Sequence, residues 1–458
     1  MSMGRFKNII IFMLIFLAVY LTSQLWFEDS AETSILASIY KPREATPQSG
    51  LEKYFAYPTR IVTGDGSSKF FISYSMAEND IRKLCDSMIE DALQSGTVRE
   101  YTGIDWTESI TGAVAVYEYS FTMKSAEFLK AMGIKNSPLS SELEAFDSII
   151  VQADEVSGAL ITLHDSASNK CAQINANLSS YGSEFLTALN EAAEDRGNDI
   201  YYESSILAGI DSDKNFFIPA WDEKGCYYVL GKTATDYYDS SVGVEKSVIR
   251  ANLLPFFDNP SAVYDATTDV IASGDENTIV KYYSNDVLEY TSYKWDSKTT
   301  DLLDDYAAAL DFIAKRDVAM VNEIYLSHYN DEQNGERHFY FDYVVNDLPV
   351  VFSDRLKSAV KEQTANGIKV VLKEGNLVGY TRLAYNFSIV EDMDLANWDI
   401  PGYISGSGAD LDDFKSITLG YSANEVDLIE DNNTMSLYVE FMTTDGISSV
   451  EALKIEAN

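Results

Sequence analysis

The segment VVLKEGNLVGYT, residues 370–381, has two strand-like runs on either side of a polar turn at Glu374-Gly375-Asn376. This pattern predicts an antiparallel β-hairpin, because glycine allows the backbone of a tight turn and the flanking runs suit strands. VKYYSNDVLEYT, residues 280–291, aligns with it without gaps and has three identical positions. The two segments are predicted hairpins that either arose by duplication or share only the general amphipathic pattern.

Further strand and helix patterns surround these segments. Residues 338–352 predict a hairpin around Asn346-Asp347, and the end of the chain predicts another around Asp445-Gly446. Apolar residues at helical spacing predict helices from Ile81 to Leu93, from Gly182 to Arg196 and from Asp301 to Arg316. The predicted fold class is therefore α+β, an elongated arrangement of two to three mixed α/β domains with antiparallel hairpins.

Composition excludes some functions. The chain has 458 residues with 34 Lys and Arg against 72 Asp and Glu, so its formal net charge is −38. Nucleic-acid binding is excluded as a main function, since phosphate contacts depend on clustered basic side chains. Three Cys and three His leave little room for a Cys/His metal site or a disulfide framework.

The N-terminal residues predict a membrane anchor. Residues 9–27 are largely apolar, and their length of 19 residues is close to the ~20 that a helix needs to cross a bilayer. Arg5 and Lys7 precede this stretch and Glu28 and Asp29 follow it, which places the N-terminus in the cytoplasm. The alternative is a cleaved signal peptide, although the sequence after the apolar core is a poor cleavage site.

This interpretation divides the chain into six parts. They are a cytoplasmic stub (1–8), a transmembrane anchor (9–27), a stalk (28–50), a first extracytoplasmic α+β domain (51–243), a second domain (244–318) and a third domain (319–458). The expected location is the cell membrane, with a single span and the bulk of the chain outside the cytoplasm. Any effect inside the cell must then pass through another membrane protein.

Four residues of the predicted anchor are candidates for contact with a membrane partner. Ala18 and Thr22 form a pair of small residues four positions apart, and Ser23 and Gln24 add hydrogen-bonding groups. The alternative is that the polar residues simply lie at the outer membrane interface.

No catalytic motif is recognisable. The sequence has no GxSxG, HExxH, P-loop or GxGxxG pattern. His164-Asp165-Ser166 places triad residue types side by side, but triads assemble from separate segments, so chance adjacency in a turn is the preferred interpretation.

Asp211 to Asn215 resembles the start of a calcium loop, yet Phe216 replaces the required glycine. His328 and His338 fall in predicted strands and are interpreted as core or surface residues. Neither an enzyme nor a cofactor is expected.

Several strings resemble the YycH/WalH family of regulatory proteins. The predicted anchor ends, as in the family, in a Leu-Trp sequence, here Gln24-Leu25-Trp26-Phe27. The family's middle domain is similar to LLPFFDNPSAVYDATTD (253–269) and TIVKYYSNDVLEYTSY (278–293). Its last, YycI-like domain is similar to HFYFDYVVNDLPVVF (338–352) and IKVVLKEGNLVGYTRL (368–383).

The resemblance implies a non-catalytic regulator of the WalK/WalR (YycG/YycF) two-component system, which controls cell-wall homeostasis in Gram-positive bacteria. Its partners would be a membrane sensor histidine kinase, a YycI-like single-pass protein and the lipid bilayer, with contacts made by the transmembrane helix. The alternatives are a tethered module that binds or hydrolyses cell-wall polymer, and a surface adhesion module.

Overall fold

A computed structural model describes the chain in separate ranges. They are residues 50–67, 69–74, 80–137, 139–154, 158–176, 179–196, 200–203, 217–219, 227–233, 253–257, 270–283, 287–294, 296, 298–317, 323–332, 334–352, 366–392, 414–423 and 434–443.

Within these ranges, nine strands form a first sheet. They are β1 (Arg60–Asp65), β2 (Phe70–Ser73), β3 (Thr97–Thr102), β4 (Ala113–Lys124), β5 (Ala145–Asp154), β6 (Gly158–Asp165), β7 (Lys170–Ala176), β8 (Tyr201–Glu203) and β9 (Phe217–Pro219). Their order is β3-β7-β6-β5-β4-β1-β2-β8-β9, and each neighbouring pair is antiparallel.

The described part of the chain also contains short and long helices. The α-helices are α1 (Asp80–Ser95), α2 (Trp106–Ser109), α3 (Ser125–Ala131), α4 (Leu139–Glu142), α5 (Ser179–Arg196) and α6 (Leu302–Arg316), and the 3-10 helices are η1 (Leu51–Ala56) and η2 (Leu254–Phe256). Helices α1 and α5 lie against the first sheet. Helix α1 buries Ile81, Cys85, Met88 and Ala92, which recur at the spacing of one helical face.

A second, larger sheet contains twelve strands of the described residues. They are β10 (Tyr227–Thr233), β11 (Val270–Gly274), β12 (Thr278–Tyr283), β13 (Val287–Ser292), β14 (Glu323–Asp331), β15 (Glu336–Val345), β16 (Leu348–Phe352), β17 (Ile368–Lys373), β18 (Asn376–Leu383), β19 (Tyr385–Asp392), β20 (Phe414–Ala423) and β21 (Thr434–Thr443). The order is β11-β12-β13-β18-β17-β15-β16-β20-β21-β10-β19, with β14 beside β15. The pairing is antiparallel except between β16 and β20.

The predicted hairpins of this sheet are confirmed. The strands β12 and β13, β15 and β16, and β17 and β18 each pair directly. Asn346 and Asp347 both have positive φ, 47° and 61°, as the two-residue turn of a hairpin requires. The predicted turn at Asp445-Gly446 lies outside the described residues.

Helix α6 covers one side of the second sheet and also reaches the first unit. Tyr306 packs on Phe339 and Phe341 of β15, with ring centroids 5.7 and 6.2 Å apart, and edge-on against Phe55 of η1 at 5.2 Å. Phe55 also meets Tyr329 of β14 at 5.6 Å. This aromatic cluster joins the core of the first sheet to that of the second.

The predicted domain boundaries stay predictions. Strand β10, which falls in the predicted first domain, pairs with β19 and β21 of the second sheet. Strands of the predicted second and third domains join through the pair β13–β18. Hydrogen-bonded sheets therefore cross two of the proposed boundaries.

The predicted fold class is wrong in its transmembrane helix. Among the residues that the structure describes, no helix is long and apolar enough to span a membrane, and the span predicted at 9–27 lies outside them. The long described helices turn one apolar face to a sheet and keep charged residues on the other, as surface helices of a globular fold do. The supported fold is a mixed α/β arrangement of largely antiparallel sheets.

Candidate functional site

The residues predicted to contact a membrane partner cannot be placed. Ala18, Thr22, Ser23 and Gln24 lie outside the described residues, as does the calcium-like segment 211–215. Their roles stay predictions, so the site must be sought in the two sheets.

The cluster around His164 is not arranged for nucleophilic catalysis. Ser166 donates its hydroxyl to Asp147 and not to His164, whose ring nitrogens are buried without a well-formed hydrogen bond. Burial lowers the pKa of His164, more than Asp147 raises it. Ser166 therefore lacks the hydrogen bond to a histidine base that a Ser-His-Asp triad requires.

The nearby cysteine is also unsuited to attack. Cys171 lies directly opposite His164 on the neighbouring strand, and its Sγ donates to the carbonyl oxygen of Gly103 at 3.3 Å. Burial raises the pKa of the Cys171 thiol, so the reactive thiolate is disfavoured. No group of three His, Cys, Asp or Glu side chains suited to a metal ion occurs among the described residues.

The second sheet presents a different kind of site on the side away from α6. Side chains alternate between the two faces of a strand, so each cross-strand row belongs to one face. One row on the α6 side is entirely buried: Phe339, Val370, Tyr380, Tyr290 and Val280. The rows on either side of it must therefore point the other way.

Two such rows cross six strands, β14-β15-β17-β18-β13-β12, and we call them together the outer face. The first row is His328, Tyr340, Lys369, Thr381, Glu289 and Lys281. The second row is Asn330, His338, Val371, Gly379, Thr291 and Ile279. Asn330 is exposed and the other eleven residues are half-buried.

Aromatic rings organise one end of the outer face. The ring of His328 stacks on that of Tyr340, with centroids 4.2 Å apart and planes inclined by 10°. His338 meets the same ring edge-on at 6.3 Å, and Lys369 Nζ lies 5.6 Å from its centroid. Burial lowers the pKa of both histidines, so both are neutral at neutral pH.

Gly379 lies at the centre of the outer face. Among the described residues, a Cβ atom added there would meet only the side chain of Val371, at 3.5 Å, which is ordinary contact. At the far end, Lys281 and Glu289 lie 3.7 Å apart, with side chains 38% and 29% exposed.

The charge of the outer face differs from that of the chain. Its charged residues are two lysines and one glutamate, whereas the whole chain carries −38. Its twelve residues include one tyrosine, two histidines and three charged side chains, so the net charge of the outer face is +1 when both histidines are neutral.

Sequence reasoning missed this surface. It placed His328 and His338 in strands, yet it could not show that they share one face with residues of β12, β13, β17 and β18. The available signal was the alternation of apolar and polar residues in each hairpin, which identifies two faces without saying which strands are neighbours.

Comparison with known proteins supports the fold. Neither a scan against protein-family models nor a search of curated proteins finds a match. The crystal structure of YycH from Bacillus subtilis is similar, with a TM-score of 0.50 and 15% identity over 86% of this chain and 96% of that one. An uncharacterized protein from Eubacterium rectale gives a TM-score of 0.28 at 12% identity, over 55% of this chain and 88% of that one. The chain therefore has a YycH-like fold.

Proposed function

We propose that this protein is a non-catalytic regulator of a membrane sensor histidine kinase of the WalK (YycG) type, with its folded part outside the cytoplasm at the cell membrane. The observation that carries the proposal is the likeness to YycH, which extends over 86% of the chain at a TM-score of 0.50. The sequence resemblance of the hairpin segments to the same family supports it. A YycI-like protein is the second proposed partner.

The outer face is the proposed docking surface for the kinase. Six strands about 4.8 Å apart make it ~24 Å wide. An interface of standard size, with ~800 Å² per partner, is about 28 Å across. The outer face matches such an interface in width, and its twelve residues are about half of the 20–30 that one side of a standard interface contains.

Charge identifies the kind of kinase surface that fits. Most of the chain repels acidic surfaces, because it contains 72 acidic side chains and only 34 basic ones. The outer face has little net charge, so it can approach a partner surface that is also nearly uncharged. We therefore expect its occupant to be a weakly charged patch on the extracytoplasmic part of the kinase.

The proposal is tested by blocking the centre of the outer face. Gly379→Arg places a long charged side chain at the centre of the outer face, where an added Cβ atom makes ordinary contact with Val371, at a backbone position without positive φ. Full-length chain and full-length kinase are co-expressed, solubilised together and co-purified, and the output of a kinase-dependent reporter is measured. We expect recovery of the kinase to fall about tenfold or more, because residues at the centre of an interface contribute more of the binding free energy than residues at its rim.

The matched control is Ser183→Arg. Ser183 is exposed on helix α5, which packs on the first sheet, so the same charge is added away from the outer face. The control should bind and regulate like the unchanged chain. Failure of the unchanged chain to bind the kinase would contradict the regulator proposal, and equal binding by both variants would exclude the outer face as its docking surface.

A further inference from the structure

Asparagine followed by glycine occurs at two places in the chain, Asn334-Gly335 and Asn366-Gly367. This dipeptide can rearrange without an enzyme, because glycine has no side chain to shield its nitrogen and its backbone reaches conformations that other residues avoid. The backbone nitrogen of the glycine then attacks Cγ of the asparagine and forms a succinimide. The sequence gives both dipeptides the same reactivity, so their surroundings in the fold must distinguish them.

Asn334-Gly335 lies in the turn between β14 and β15. Both residues are exposed, and a Cβ atom added at Gly335 would meet no atom of the described residues within 4 Å. The Gly335 N–H donates to the carbonyl oxygen of Glu332 at 3.1 Å, and the side-chain oxygen of Asn334 accepts from the N–H of Glu336 at 3.0 Å. The Asn334 side chain also interacts with the Glu336 carboxylate, whose side chain is 26% exposed. Water can replace these surface hydrogen bonds at small cost when the turn opens.

Asn366-Gly367 precedes β17 and is held by a single carboxylate. Asp342 accepts a hydrogen bond from Asn366 Nδ2 at 2.6 Å with one oxygen and from the Gly367 N–H at 2.9 Å with the other. The attacking nitrogen and the leaving amide group are therefore bound to the same charged acceptor, and hydrogen bonds to charged groups are the stronger ones. A Cβ atom added at Gly367 would lie 2.7 Å from the ring of Tyr343, so the backbone is also enclosed there.

We propose that Asn334 is a site of self-catalysed deamidation in the folded protein, and that the fold protects Asn366 from the same reaction. The Gly335 nitrogen forms a bond to Asn334 Cγ, the bond from Cγ to Nδ2 breaks, and the proton of the Gly335 N–H leaves with Nδ2 as ammonia. Water then opens the succinimide at either carbonyl carbon and returns a proton to the Gly335 nitrogen. The product is an aspartyl or an isoaspartyl residue at position 334.

The two products differ in their effect on the turn. An aspartyl residue keeps the side-chain oxygen that accepts from the Glu336 N–H, so the turn is retained. An isoaspartyl residue carries the backbone through the former side chain and adds a methylene group to the turn between β14 and β15. Both products place a new negative charge between Glu332 and Glu336, where like charges repel.

The experiment incubates the purified, folded full-length chain at neutral pH in heavy-oxygen water, so that solvent oxygen labels each conversion. The chain is then cleaved in ordinary water, and mass spectrometry of the peptides measures the labelled product at each asparagine. We expect Asn334 to convert about tenfold or more faster than Asn366, because the hydrogen bonds to Asp342 must open before the second dipeptide can react. In concentrated urea the two rates should become similar, since the fold no longer shields either dipeptide.

A matched pair of variants assigns the reaction to one residue. Asn334→Gln lengthens the side chain, which moves its carbonyl carbon out of reach of the Gly335 nitrogen, and it should abolish the labelled product in the turn. Asn366→Gln makes the same change at the protected dipeptide and should leave the conversion of Asn334 unaltered. Circular dichroism shows that each chain is folded during the incubation.

Two outcomes would overturn the inference. One is equal conversion of the two asparagines in the folded chain, and the other is a folded chain without labelled product at Asn334 that converts there in urea. Neither outcome concerns the kinase, because the reaction needs only this chain and water. The regulator proposal is therefore tested separately.

Discussion

Arg382 is a buried cation in an otherwise apolar part of the second sheet. It lies in a row with Phe341, Ile368 and Leu288, and it is 3% exposed. Its Nε lies 3.0 Å from a carboxylate oxygen of Asp317, the C-cap residue that follows helix α6. The hydroxyl of Tyr380 donates a hydrogen bond to the same oxygen at 2.6 Å. The pair fixes the end of α6 to strand β18.

Removing the cation should be costly. Arg382→Met leaves the Asp317 carboxylate buried with a tyrosine hydroxyl but no counter-ion, and we expect the free energy of unfolding to fall by about 3–5 kcal/mol. The double variant Asp317→Leu, Arg382→Met should recover most of this loss, because no charge is then buried. Urea unfolding measures both. A double variant no more stable than the single one would contradict the explanation.

At the scale of elements, the first turn of α6 shows how sequence sets a helix boundary. Asp301 accepts hydrogen bonds from the backbone N–H groups of Leu303 and Asp304 at 3.0 and 3.1 Å, and it also forms an ion pair with Lys130 of α3. The predicted start at Asp301 is therefore the capping residue, one position before the helix. Both members of the ion pair are about half exposed, so water screens their attraction. The N-cap hydrogen bonds should therefore contribute more to the free energy of unfolding than the ion pair does.

Two substitutions separate these contributions. Asp301→Asn keeps the capping oxygen and removes the charge, so it should cost at most about 1 kcal/mol. Asp301→Ala removes both the capping oxygen and the charge. It should lower the free energy of unfolding by about 0.5–2 kcal/mol more than Asp301→Asn, as loss of an N-cap does. The free energy of unfolding in urea is the measurement. Equal losses for the two variants would show that the ion pair and not the cap matters.

The two similar hairpins are neighbours in the second sheet. Val280 pairs with Tyr290, Val370 pairs with Tyr380, and the two tyrosines pair with each other across β13 and β18. The hairpins are thus related by an approximate twofold axis at the tyrosine pair. The arrangement is compatible with duplication, and all four residues lie in one buried row.

At the scale of the whole molecule, the turn of one hairpin ties the second sheet to the first. Asp347 accepts hydrogen bonds from the hydroxyl of Ser73 at 3.0 Å and from the backbone N–H of Tyr74 at 2.7 Å. Ser120 of β4 also donates to the carbonyl oxygen of Ser327 in β14. Together with the aromatic cluster at Phe55, these contacts hold the two units in a fixed relation.

A matched pair of glycine substitutions tests this connection. Asp347→Gly preserves the positive φ of the turn but removes the carboxylate, and it should lower the free energy of unfolding by about 1–3 kcal/mol because buried partners lose their acceptor. Asn346→Gly alters the adjacent turn position and should change it by no more than about 0.5 kcal/mol. Hydrogen exchange of Tyr74 should increase only in the first variant. Equal effects would assign the loss to the turn itself.

Local features of the fold could be predicted from sequence. The hairpins at 280–291, 338–352 and 368–383 and the helix at 302–316 depend on turn residues, alternation and apolar spacing, which act within about twenty residues. In strand β4, Glu118 lies on the same face as Val114 and Val116 and is half-buried. It forms an ion pair with Arg60 on the neighbouring strand β1, a partner that is set by the sheet.

The sequence by itself determined the fold class of the described residues as mixed helices and antiparallel hairpins, together with the net acidic charge of the chain. Tertiary structure alone decided which strands are neighbours, that β10 joins the second sheet, and that His328, Tyr340 and Lys369 share a face with Glu289. The physical reason is the distance along the sequence over which each kind of interaction acts. Turn and periodicity signals are local, whereas strand order depends on which apolar faces can be buried together across hundreds of residues.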